Sequence, residues 1–102
     1  MIYSNKKVQT SANLAAQNAK IIANVNALKE KDLLRIEGNE VFVYPAIWKD
    51  QATALNWIKC LHIYCMLKHR FKEKDPLDFK DYATGELIGT FKNKKATVLF
   101  IF

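Results

Sequence analysis

The chain is poor in residues that break or cross-link a fold. It holds 3 glycines, 2 prolines and 2 cysteines among 102 residues. So little Gly and Pro excludes a collagen-like or low-complexity chain. Cys60 and Cys65 lie five apart in a stretch of helical character. That spacing puts them on different faces, where they cannot bridge each other, and two free thiols suit a reducing compartment. The first ten residues lack an apolar segment, so no secretory signal is expected. The most apolar stretch, residues 52–67, is interrupted by Asn56, Lys59 and His62 and is short for a bilayer. The expectation is an intracellular protein with no membrane span, or a virion protein if the gene is a phage's.

Signposts of chemistry are equally scarce. Gly38, Gly85 and Gly89 are isolated, so there is no phosphate-cradling loop. His62, Cys65 and His69 share one face of a helical stretch. The Cys65–His69 spacing could grip one metal ion, but His62 and His69 stand two turns apart, roughly 10 Å. A closed zinc site needs paired motifs that this chain lacks. A Cys65–His69 nucleophilic pair would need an exposed thiolate, and bulky apolar neighbours argue against one. Asp75, Asp78 and Asp81 lack the spacing of a calcium loop. The reading is therefore no metal, no cofactor and no enzyme.

Arginine is scarce as well. Lys and Arg total 16 against 10 Asp and Glu, a net charge of +6, and only Arg35 and Arg70 are arginines. Lysine-dominated charge favours anionic partners without base-specific reading. Lys68, Arg70 and Lys72, with Lys94 and Lys95 further on, are the basic residues that could form a phosphate-backbone footprint. Lys, Asn and Ile together supply 31 of the 102 residues. Their AT-rich codons suggest a phage or a low-GC bacterium as the source.

What the chain does have is apolar periodicity. Ser11 is a candidate cap for a helix carrying Leu14, Ile21, Val25 and Leu28 on one stripe, with Ala15, Ala19, Ala23 and Ala27 nearly opposite. Gly38-Asn39 suits a type II′ hairpin turn that pairs Ile36 with Val41 and Leu34 with Val43, leaving Arg35 across from Phe42. Asp50 is a candidate cap for a second helix. There Trp57, Tyr64 and Phe71 form an aromatic stripe, and Ala54, Ile58, Leu61 and Cys65 a second apolar line. Residues 86–92 and 96–102 read as a second hairpin around Asn93-Lys94-Lys95, its last strand apolar on both faces.

These elements compose a single α+β domain: two helices (about 12–31 and 50–73) and two β-hairpins (about 33–44 and 86–102), preceded by an extended arm over residues 1–11. The apolar surface exceeds what so few elements can hide, and contiguous exposed apolar surface marks an interface. The function expected is thus a non-enzymatic structural or protein-interaction component. A small accessory subunit of a larger assembly fits, such as a phage virion, with contacts through Tyr3, Phe42, Tyr44, Phe100 and Phe102. A basic nucleic-acid-associated protein using Lys68, Arg70, Lys72, Lys94 and Lys95 is the alternative. A phage inhibitor of a host enzyme is a third.

Overall fold

The computed structural model describes residues 2–101, with side chains described for residues 14–44 and 46–101. No Gly or Pro interrupts residues 2–30, and a helix with no breaker propagates cheaply once nucleated. Helix α1 accordingly runs Ile2–Glu30. It passes through Ser11 unbroken, so residues 2–11 are helical rather than an extended arm and Ser11 is no cap. The apolar stripe is used only from its middle onward. Val25 is fully buried and Ile21 and Leu28 half-buried, whereas Leu14 is 56% exposed. Ala15, Ala19, Ala23 and Ala27 all face solvent.

The α1 helix stops without glycine. Asp32 takes φ 57°, its N–H bonds Lys29 O, and the Leu33 N–H bonds Leu28 O at 2.9 Å. This is the paired closure of a Schellman end, with Asp where Gly is usual. The Tyr82 hydroxyl donates to the Asp32 carboxylate at 2.6 Å, which ties this turn to the sheet.

Strands β1 (Leu34–Glu37) and β2 (Glu40–Val43) pair in the expected register, Leu34 with Val43, Arg35 with Phe42 and Ile36 with Val41. Gly38 takes φ 59°, the positive value a type II′ turn requires at its first central residue. Helix α2 (Gln51–Lys68) follows, with Asp50 at its N-cap. Strand β3 (Leu77–Asp81) then pairs parallel with β2. Parallel neighbours need a crossover, and α2 is that crossover. Strands β4 (Leu87–Lys92) and β5 (Lys95–Val98) complete one sheet in the order β1-β2-β3-β4-β5. The two hairpins thus share a sheet, joined by β3, a strand that the mixed pattern of residues 77–82 does not announce.

Two expected boundaries move. Helix α2 ends at Lys68, not near residue 73, because Arg70 adopts φ 59° and folds Phe71 N–H back onto Cys65 O. The second hairpin pairs over residues 87–98 around a two-residue turn, Asn93-Lys94, both at positive φ. Residues 99–101 leave the strand, although Leu99 and Phe100 N–H groups still reach Ile88 O.

Both helices lie on one face of the sheet. Ala54, Ile58, Leu61 and Cys65 are all fully buried, so the second apolar line of α2 is its sheet-facing side. Of the aromatic stripe, Tyr64 is buried and Trp57 and Phe71 are half-buried. Tyr64 donates to Asn26 of α1 at 2.9 Å. His62 is buried, stacks on Phe91 at 3.9 Å and donates from Nε2 to the Asp75 carbonyl at 2.8 Å. It fastens α2 to the loop that leads into β3.

The tightest contact in the core involves Trp48. The turn at Pro45–Ile47 delivers its side chain, fully buried, beside Phe79, and its indole N–H donates to Phe100 O at 2.8 Å. The ring lies over Gly89 of β4. A Cβ there would stand 2.9 Å from Trp48 Cζ2, 3.1 Å from Ile58 Cδ1 and 3.2 Å from Thr97 O. Three independent elements close on one hydrogen atom's worth of space, and a β-bulge beside it, at Phe79/Lys80 against β4, adjusts the register.

Three predictions follow from this architecture. Gly89→Ala overpacks the Trp48 notch and should lower stability by about 1–3 kcal/mol, read as a shifted denaturant midpoint with an unchanged slope. Arg70→Gly removes a left-handed non-glycine residue and should raise stability by up to about 1 kcal/mol in the same assay. The third concerns Asp50, whose carboxyl is held below its ordinary value of 3.8, first by the Thr53 N–H and then by the Thr53 hydroxyl. A pKa depressed on folding contributes stability above the unfolded value and loses it as pH falls through the folded one. Asp50→Ala should therefore lower the Tm most at neutral pH, with the gap narrowing in acid below 3.8. Asp50→Asn should keep the cap without that pH dependence.

Candidate functional site

Strand alternation sends one set of side chains to the helices and the other to an uncovered face. On that face β1, β2 and β3 place Arg35, Phe42 and Lys80 in one row, and Glu37, Glu40 and Asp78 in the next. Like charges directly opposite are destabilising, and neighbouring cations offset them. Arg35 pairs with Glu37 and Lys80 with Glu40. The Glu40 contact raises the Lys80 pKa. Beyond them Tyr44 and Tyr82 stack at 4.6 Å, and Arg35 sits 4.5 Å from the Phe42 ring and 5.2 Å from that of Tyr82. Phe42, Tyr44 and Tyr82 are half-buried, the two tyrosines against each other and Phe42 and Tyr82 under Arg35.

The same face continues to Leu87, which pairs with Lys80 and so lies two strand spacings, about 10 Å, from Phe42. Leu87 is 43% exposed, Leu99 54%, Phe100 53% and Ile101 36%. The N–H groups of Leu99 and Phe100 bond the carbonyl of Ile88, the neighbour of Leu87, so the backbone of residues 99–100 runs beside this end of β4. The backbone there is anchored, because Trp48 holds the Phe100 carbonyl. Strand β5 is also an edge of the sheet.

The expected contact residues are placed as follows. Phe42 and Tyr44 come together on the uncovered face. Phe100 sits at the corner of the sheet beside this end of β4, connected to that face through Leu87, which the sequence reading did not name. The side chain of Tyr3 and all of Phe102 lie outside the described residues. The corner could have been anticipated from the apolar 96–102 run. Its anchor, Trp48, carries only a faint signal, a tryptophan just past the proline that closes a hairpin.

The basic residues are partly gathered. Lys94 pairs with Glu73 at 3.0 Å, which brings the β4–β5 turn to the loop carrying Lys72 and Lys74. Lys68 and Arg70 are exposed at the end of α2. Lys95 faces Lys92 across the hairpin. Carboxylates interleave with this set: Asp75 accepts the Lys72 N–H at 2.8 Å, and Lys94 holds the Glu73 carboxyl below its ordinary range.

Cys65 is fully buried, and burial pushes its thiol up to about 11, with Lys29 opposing only in part. It stays protonated at neutral pH, which is the opposite of an activated nucleophile. His69, at the end of α2, lies beside the Tyr64 ring. Among the described residues no group of three or more His, Cys, Asp or Glu side chains could hold a metal ion. No helix among them is long and apolar enough to cross a membrane. Comparison with protein-family models, curated proteins and solved structures finds no match to this chain.

Proposed function

We propose that the chain is a non-enzymatic protein-interaction component, a small subunit of a larger assembly, and that the corner formed by Leu87 and residues 99–101 is its contact. One observation carries this reading. Of the large apolar side chains exposed among the described residues, three (Leu99, Phe100 and Ile101) are consecutive and a fourth, Leu87, adjoins the Ile88 carbonyl that the backbone of Leu99 and Phe100 bonds, with only Leu14 and Leu67 elsewhere. Scattered exposed leucines need no explanation, whereas a contiguous group marks an interaction site.

The anchoring supports the same reading. An apolar tail free to fray would lose conformational entropy on binding, and a segment already fixed by Trp48 and Ile88 loses less. An open edge at β5 offers unpaired backbone groups beside the apolar side chains, as strand addition requires. A protonated, buried Cys65 favours a role through contact over one through nucleophilic chemistry.

Because Trp48 grips Phe100 by its carbonyl, the side chain can be removed without losing the anchor. The test compares the parent with Leu99→Ser/Phe100→Ser, by light scattering over a concentration series and by binding of a hydrophobic dye. The parent should bind dye or self-associate as concentration rises. The variant should do markedly less of both at an unchanged circular dichroism spectrum. A parent that stays monomeric, with dye emission equal to the variant's, would overturn the proposal.

A further inference from the structure

The helical side of the molecule carries a second, separate surface. Lys59 and Ile63 lie one turn apart on the outward ridge of α2, and each borders two depressions. One depression, about 380 Å³, lies between α1 and α2, with Ile21 within it and Lys20, Asn24 and Asn56 around it. The other, about 190 Å³, lies between α2 and the β4–β5 turn, with Met66 and Phe91 within it and Lys94 at its rim. Neither takes part in the apolar corner or the uncovered sheet face.

We infer that this ridge docks an acidic amphipathic segment of a partner protein. Charge complementarity points there. Lys20, Lys59 and Lys94 surround the two depressions, and the one carboxylate among the lining residues, Glu73, is already paired with Lys94. Among the described residues no carboxylate pairs with Lys20 or Lys59. Ile21, Ile63 and Met66 give apolar anchoring on either side of the ridge, and Met adapts to the shape of what it meets. Asn24 and Asn56 supply donors and acceptors for a peptide rim. A peptide with apolar residues on one face and carboxylates on the other satisfies all three features.

A nucleic acid fits less well. Phosphates would meet the lysines, but bases need open aromatic faces to stack on. The one aromatic ring in either depression beyond the buried His62 is Phe91, and its ring is already stacked on His62 at 3.9 Å.

The experiment uses the whole chain, isotope-labelled, and follows backbone amide shifts with three probes. The first is a model helix with leucines at i, i+3, i+4 and i+7 and glutamates elsewhere, the second the same helix with lysines for glutamates, and the third a single-stranded oligonucleotide. The acidic helix should shift amides in 17–24, 56–66 and 91–94, and the basic helix should shift none of them. Lys59→Glu, at an exposed helical position, should keep the parent's Tm and weaken acidic-helix binding about tenfold. Leu99→Ser/Phe100→Ser should bind it like the parent, which separates this site from the apolar corner. Absence of shifts on this ridge, indifference to Lys59→Glu, or tighter binding of the oligonucleotide to the same amides would overturn the inference.

Discussion

The space above Gly89 is the constraint on which the architecture turns. Trp48 from the turn after β2, Ile58 from α2 and the Thr97 carbonyl from β5 all converge where that residue has only a hydrogen. A bulky ring can be buried over a strand only if the strand yields room, and glycine provides it. The contact does more than fill volume. Its indole N–H reaches Phe100, so the same side chain that seats α2 on the sheet also holds the last described segment in place. The core and the proposed contact surface therefore share one residue.

This coupling explains how a small chain can expose apolar side chains without losing order. Both helices are spent on one face of the sheet. What remains on the other face is stabilised laterally, by the Tyr44–Tyr82 stack, by Arg35 against Phe42 and Tyr82, and by the Lys80–Glu40 pair. These contacts half-bury the aromatics and leave a mixed, ionic surface. Leu87, Leu99, Phe100 and Ile101 are more open: 43%, 54%, 53% and 36% exposed. The uneven distribution, more than the total, distinguishes this surface from an ordinary one.

Much of the local structure was legible because local rules governed it. Gly38-Asn39 set the first hairpin's register to the residue, and Asp50 capped α2 as its side chain and position implied. Elsewhere the signals were weaker or contrary. Strand β3 was legible in principle, since Leu77, Phe79 and Asp81 alternate inward with Asp78 and Lys80 outward, but charges on both sides of Phe79 obscured it. The end of α2 at Lys68 depends on Arg70 adopting a conformation that sequence preferences oppose. Ser11 marks no helix start, because a good capping residue there lies inside a helix that has no reason to stop. Of the candidate contact residues, Phe42 and Tyr44 were correctly expected on the outer side of the hairpin. The link to Phe100 through Leu87 depended on β3 lying between the two hairpins.

The sequence by itself determined the α+β class, the presence of two helices and the first hairpin, because periodicity and turn chemistry act over a few residues. Only the tertiary structure decided that both hairpins belong to one sheet, that Trp48 needs Gly89, and that residues 99–100 are tied back to Ile88 and Trp48. Those outcomes rest on contacts between residues separated by up to 52 positions, where no local preference reaches and only the closing of the chain on itself selects among the possible neighbours.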